Sequence, residues 1–237
     1  MDVRQFITNN TVFFEYLAQW YEGLRTFDLG REMRSPRTTA LFVEDMVGGF
    51  CRSGNLASPR ICGLIEPIVQ LMKRADALGV NNFVLLQDTH SPDTPEFEAW
   101  PPHCVVGTPE AETLEEIGAL PFSHKYFVVR KNALNPAVGT DLDGWLRDHP
   151  DLMDMIVVGD CTDLCDYQMA MHLRIRANAL NLQGRRVVVP ANAVQTYDVG
   201  VQQARAIGAL PHPGDFFHLL FLYHMALCGI HVVREVV

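Results

Sequence analysis

Cys165 closes the segment Ile156-Val157-Val158-Gly159-Asp160-Cys161-Thr162-Asp163-Leu164-Cys165. A β-branched run breaks at glycine, a Thr/Asp cap signal follows, and an apolar-periodic stretch comes next. That is the pattern of strand, tight turn and helix. The cysteine then falls in the first helical turn, where unpaired N–H groups and the helix dipole stabilise a thiolate. Such a thiolate attacks a carbonyl and passes through a thioester, with N–H groups of the Cys161–Cys165 turn receiving the oxyanion. The competing reading is a small core cysteine, since free Cys is among the most buried residue types.

Other strand ends supply partners. Glu44-Asp45 follows the buried run Thr39–Val43, Asp88 and His90 follow Phe83–Leu86, and Arg130-Lys131 follows Tyr126–Val129. Asp45 is suited to accept the thiol proton, and Lys131 to stabilise the anionic state and hold the carboxylate in place. A second constellation lies beside it. Asp88-Thr89-His90 puts two side chains on one side of an extended segment, and Trp100-Pro101-Pro102-His103 sits on a proline-rich loop that cannot be helical. One carboxylate and two imidazoles suit a divalent transition metal with open positions. Taken alone, D-x-H fits a strand-end turn stabilised by the Asp side chain equally well.

These groups meet only if their strands run the same way. Continuous apolar strands separated by helical periodicity predict a three-layer α/β/α fold with a mostly parallel, roughly six-stranded sheet, whose ligands bind at the carboxyl edge. Further strands are expected at Met155–Val158, Val187–Val189 and Ile230–Val236. Ile61, Leu64, Ile65, Ile68, Leu71, Met72, Ala75 and Leu78 keep helical spacing, and Gly79 closes that helix. Helices also fit Thr11–Arg25, Thr140–His149, Asp163–Leu182, Val199–Ile207 and Asp215–Cys228.

The 237 residues, 48% of them hydrophobic, suit one α/β domain. A net charge of −9 without a basic run argues against nucleic acid or anionic membrane as a partner. The start, Met1-Asp2-Val3-Arg4-Gln5, carries no apolar signal region, and the apolar stretch Phe216–Val233 is interrupted by His218, His224 and His231. A cytoplasmic protein is the expectation. Its six cysteines show no small-domain framework and read as thiols rather than disulfides.

The motifs resemble the isochorismatase-like cysteine hydrolases. That family carries D-x-Q-x-x-F after the first strand, a Lys after the third and G-x-x-T-x-x-C after the fourth. Here stand Asp45-Met46-Val47-Gly48-Gly49-Phe50, Lys131 and Gly159-Asp160-Cys161-Thr162-Asp163-Leu164-Cys165. Gln87-Asp88-Thr89-His90 with Trp100-Pro101-Pro102-His103 is similar to the nicotinamidase branch. The resemblance spans about residues 38–235. It implies a triad of Asp45, Lys131 and Cys165, and a metal held by Asp88, His90 and His103, with zinc first and manganese or iron as alternatives. It also implies an oxyanion hole from the N–H groups of Cys161 and Cys165, with a cis peptide before Cys161. Phe50 and Trp100 match aromatic residues flanking a pyridine ring whose nitrogen the metal side receives. The implied reaction is hydrolysis of a small carboxamide, nicotinamide foremost, by a homo-oligomer.

The chain departs from the family at two places. Val47 replaces the usual Gln, and Asn135-Pro136-Ala137-Val138 replaces a stretch that brings an aromatic wall to the pocket. Residues 1–36 form a helical extension before a hydrolase domain at 37–237 and could cover the pocket or an oligomer face. Competing functions are an amidase or N-carbamoyl hydrolase for another small amide, and a non-catalytic metal or small-molecule binder. A binder has no need of a nucleophile with its base. Isochorismate hydrolysis needs no cysteine, and a thiol redox role for Cys161 and Cys165 lacks C-x-x-C spacing.

Overall fold

Short apolar runs rich in β-branched residues form the strands of the computed structural model, which describes residues 5–237. They are β1 (Thr39–Glu44), β2 (Asn82–Asp88), β3 (Tyr126–Lys131), β4 (Asp154–Asp160), β5 (Arg186–Pro190), β6 (Val194–Gln195) and β7 (His231–Val233). The sheet order is β3-β2-β1-β4-β5-β7, with β6 on β4, and every pairing is parallel. The expected mostly parallel sheet is therefore present, with seven strands in place of six. The added β6 pairs Gly159 and Asp160 along the β4 edge where β5 pairs Asp154–Ile156, so it continues the position of β5.

Helices alternate with these strands. In chain order they are α1 (Phe6–Glu22), α2 (Leu29–Glu32), α3 (Gly48–Cys51), α4 (Pro59–Cys62), α5 (Ile65–Ala77), α6 (Glu115–Gly118), α7 (Leu142–Asp148), α8 (Cys165–Ala179), α9 (Val201–Ile207) and α10 (Gly214–Leu227). The helix expected from Ile61 onward is divided, because Gly63 and Leu64 separate α4 from α5. Strand alternation sorts the core: Leu41 and Val43 pack with Ile68 and Met72 of α5 on one face, whereas Ala40 and Phe42 pack with Met169 and Leu173 of α8 on the other. Two helical layers thus cover the sheet.

Helix α1 lies against α10, with Phe13 and Trp20 meeting the Tyr223 ring edge-on at 5.5 and 5.2 Å. Phe27 and Leu29, further along the same stretch, are completely buried in the core. Residues 1–4, on which the reading of the chain start largely rests, lie outside the described residues.

One expectation is corrected. Cys51 and Cys62 form a disulfide, leaving Cys104, Cys161, Cys165 and Cys228 free. The spacing of 11 residues carries no framework signal, but α3 and α4 fold against each other and bring the Cα atoms to 4.8 Å, inside the range a disulfide spans.

The topology also says where chemistry belongs. From β1 the chain steps through β2 to β3 on one side, and from β4 through β5 to β7 on the other. The strand order reverses between β1 and β4, and open parallel sheets bind ligands at such a switch point. Asp45 follows β1 directly, and Cys165 follows β4.

Candidate active site

Asp45 has φ 51°, a left-handed conformation uncommon outside glycine. Strain of this kind persists where the surroundings over-determine it. Here Asp45 Oδ1 accepts the N–H of Asp88 at 2.7 Å, and Oδ2 accepts from Lys131 Nζ at 2.7 Å. Lys131, the last residue of β3, is almost wholly enclosed. An ammonium has three N–H donors, and this one has three partners: Asp45, Asp88 Oδ1 at 2.5 Å, and Cys165 Sγ at 3.4 Å. A carboxylate oxygen of Asp45, one of Asp88 and Cys165 Sγ all lie within 4.8 Å of one another.

Cys165 is the first residue of α8, as the sequence pattern predicts. The approach to it depends on Gly159, whose φ is 130° and where a Cβ would stand 2.0 Å from the Glu44 carbonyl oxygen. No side chain fits that crossing of β4 and β1. The Asp160–Cys161 peptide is cis. Among the described residues no backbone acceptor takes the N–H of Cys161 or of Cys165, so both remain available at the turn.

The electrostatics revise the thiolate expectation. Burial pushes the Cys165 thiol well above its ordinary value; Lys131 pulls it down, and Asp45 and Asp88 push it up further. The helix start is present, yet burial pushes the other way and favours the neutral thiol. Burial and the charge of Asp88 raise Asp45 to about 6 against the pull of Lys131. Burial opposes charge on Lys131 too, but Asp45 and Asp88 keep it protonated well above the usual lysine range. A carboxylate of raised basicity beside a thiol and a fixed ammonium is an arrangement for moving one proton on demand.

Asp88 turns its second oxygen away from Lys131. Oδ2 lies 3.3 Å from His90 Nε2 and 3.7 Å from His103 Nε2, and Glu96 Oε1 lies 3.7 Å from His90 Nε2. Burial works against the Asp88 charge, but Lys131 and the imidazoles hold its carboxyl well below the usual range. Asn132 Oδ1 accepts the N–H of Ser91 at 3.0 Å, which identifies it as the acceptor for His90 Nδ1 at 3.2 Å. The Pro101 carbonyl likewise accepts from His103 Nδ1 at 2.9 Å. Both rings therefore point Nε2 at the Asp88 carboxylate, and His90 Nε2 is buried without a close hydrogen-bond partner among the described residues. Two ring nitrogens converging on a carboxylate suit a cation, and outer hydrogen bonds to the far nitrogen are the usual support of a histidine ligand. The donor set of Asp88, His90, Glu96 and His103 fits a divalent metal.

The pocket over Cys165 is lined by Phe50, Trp100, Leu134, Leu164 and Tyr197 together with Asp88, Glu96 and His103. Both aromatic residues expected from the sequence are thus present. Val138 is exposed and Ala137 packs against the core on the α8 side, and neither lines the pocket. Tyr197 supplies a ring instead. It stacks on His212 at 3.9 Å, which stacks on Phe217 at 4.3 Å and pairs with Asp163 at 2.8 Å. Val47 packs with Phe50, Ile61 and Cys104, an apolar setting with no need of the usual Gln.

Sequence reasoning found Asp45, Asp88, His90, His103, Lys131, Cys161 and Cys165, and the structure brings them together. It missed Glu96, Asn132 and Tyr197. Glu96 lies six residues beyond His90 on the loop leading to Trp100, where proximity to D-x-H was the available signal.

An Isochorismatase domain match covers residues 39–214. Nicotinamidase 1 of Arabidopsis thaliana is 30% identical over 213 residues, covering 84% of this chain and 86% of its own. N-carbamoylsarcosine amidase of Thermoplasma acidophilum superimposes with a TM-score of 0.63 and 25% identity, over 83% of this chain and 96% of that one. The pyrazinamidase of Pyrococcus horikoshii in complex with zinc has a TM-score of 0.64 at 23% identity, over 83% and 99% respectively.

Proposed function

The chain belongs to the isochorismatase family, and we propose that, as an amide-cleaving cysteine hydrolase of that family, it converts nicotinamide to nicotinate and ammonia. The observation that carries this reading is the contact of one buried ammonium with Asp45, Asp88 and Cys165, which joins the nucleophile and its base to the imidazole group. Asp45 takes the proton from Cys165 Sγ as the thiolate attacks the carboxamide carbon. Lys131 stabilises the anion, and the N–H groups of Cys161 and Cys165 receive the oxyanion. Asp45 then delivers its proton to the departing nitrogen, and ammonia leaves a thioester. A water molecule loses its proton to Asp45 and attacks the thioester carbon, which releases the acid and restores the thiol.

Phe50, Trp100 and Tyr197 offer faces to a flat ring. Asp88, His90 and His103, with Glu96 in reach, would hold a divalent cation, zinc first, which supplies a Lewis-acid contact for a ring nitrogen. Support for nicotinamide comes from Nicotinamidase 1 of Arabidopsis thaliana. The likeness to N-carbamoylsarcosine amidase keeps a second reading in play, the same chemistry on another small amide or carbamoyl compound. Ammonia release from nicotinamide, benzamide and an N-carbamoyl amino acid separates them. Nicotinamide should lead; parity with benzamide rejects it as substrate and leaves the broader amidohydrolase.

A further inference from the structure

The pocket contains one carboxyl that neither the triad nor the imidazole group uses. Asp160, the last residue of β4, lines the pocket with Phe50, Trp100, Leu134, Leu164 and Tyr197. It is fully buried. Its Oδ1 faces Cys161 Sγ at 3.6 Å, and its Oδ2 has no hydrogen-bond partner among the described residues. A buried carboxyl oxygen left unpaired is costly unless a ligand completes it. Its place is specific as well: it directly precedes Cys161, whose N–H is one of the two proposed oxyanion donors, and it lines the same pocket as Cys165.

We propose that Asp160 selects the substrate, by pairing with a neutral N–H or O–H donor that the substrate carries close to the scissile carboxamide. This rests on the amide-hydrolase reading of the same site and narrows its substrate class. The donor is neutral because the partner is. Burial, with the charges of Asp45, Asp166 and Asp88 around it, holds Asp160 in its acid form, which can accept through one oxygen and offers an ammonium no full charge. Unsubstituted nicotinamide has only its amide N–H groups to offer. An amino-substituted or hydroxyl-substituted aromatic amide, or the second N–H of a ureido group, meets Asp160 in addition. A pocket built to hydrogen-bond a substrate group rejects the analogue lacking it, because its own polar atom is then left unpaired.

The test uses metal-loaded protein carrying Cys165→Ala, so that binding is read by calorimetry without turnover. The probes are nicotinamide and benzamide, each compared with derivatives bearing one amino group at each available ring position in turn. At least one derivative should bind tighter than its parent, by roughly 10-fold or more, a modest share of the discrimination such pairing reaches. Adding Asp160→Val should erase that preference, while Asp160→Asn, which keeps hydrogen-bonding capacity, should retain part of it. No preference for any derivative overturns the proposal without recourse to a variant, and so does a preference that survives Asp160→Val in folded protein. Ammonia release by the unmodified enzyme is measured separately. Its absence would count against the hydrolase reading, whereas the binding ratios decide the role of Asp160.

Discussion

Replacing Lys131 by Met removes the one cation among the described residues that touches both the nucleophile and its base. With an effective dielectric constant of about 20, an ammonium at the observed 3.4 Å stabilises a thiolate by about 5 kcal/mol, which is between three and four pH units. The Cys165 thiolate population at neutral pH should therefore fall by roughly 10³-fold. A more basic thiolate is also a better nucleophile, with a Brønsted slope of about 0.4–0.5, so the alkylation rate should fall by only roughly 10²-fold. Asp45 loses the same partner and rises from about 6, so less of it is ionised to act as base. Catalysis should accordingly suffer more than alkylation. Loss of the ammonium also leaves Asp45 and Asp88 buried without their partner, which costs about 3–5 kcal/mol of stability. The assay is the iodoacetamide rate constant at a fixed neutral pH, with the labelled residue assigned by mass spectrometry, on protein shown to be folded by urea titration. A folded Lys131→Met that alkylates Cys165 at the wild-type rate would refute the electrostatic argument.

Other outcomes follow from the same geometry. The kcat/KM should climb with pH through about 6 as Asp45 ionises to become a base, and Asp45→Asn should lose roughly 10²-fold or more; a flat wild-type profile from pH 5 to 7.5 contradicts that role. Asn132→Leu should weaken metal binding roughly 10- to 100-fold by freeing His90 Nδ1, read by competition with a chelating dye, and unchanged affinity argues against the metal site. Burial raises Glu44, Asp160 and Asp166 well above the usual carboxylate range, so their stabilising contribution is complete below about pH 4 and is lost as pH rises through the folded-state values. The urea midpoint should therefore decline from pH 5 to 8, and Glu44→Gln should flatten the decline; Asp88, held low, acts only in more acidic solution. Thiol titration of the unreduced, unfolded protein should count four free cysteines, and six would reject the Cys51–Cys62 bond.

How far the sequence reaches depends on how local the cause is. The five longest strands announce themselves through contiguous apolar residues, and Cys165 through the strand, turn and helix around it. β6 does not, because two residues carry no periodicity; its place follows from pairing with Gly159 and Asp160. Tyr197 was hidden for the same reason, since it follows that strand and is held by a stack on His212, fifteen residues later. Asn132 acts on a ring forty-two positions away, and the Cys51–Cys62 bond depends on how two short helices fold together. The electrostatic revision at Cys165 has the same origin. A helix start is a local property, whereas complete burial beside Asp45 and Asp88 is a property of the assembled strand edge, and it dominates. The base and the ammonium matter for that reason: a site that buries its thiol deeply enough to keep it protonated can reach the thiolate only through groups fixed within a few ångströms. Asp45 and Lys131 are the groups that the reversal of strand order places there.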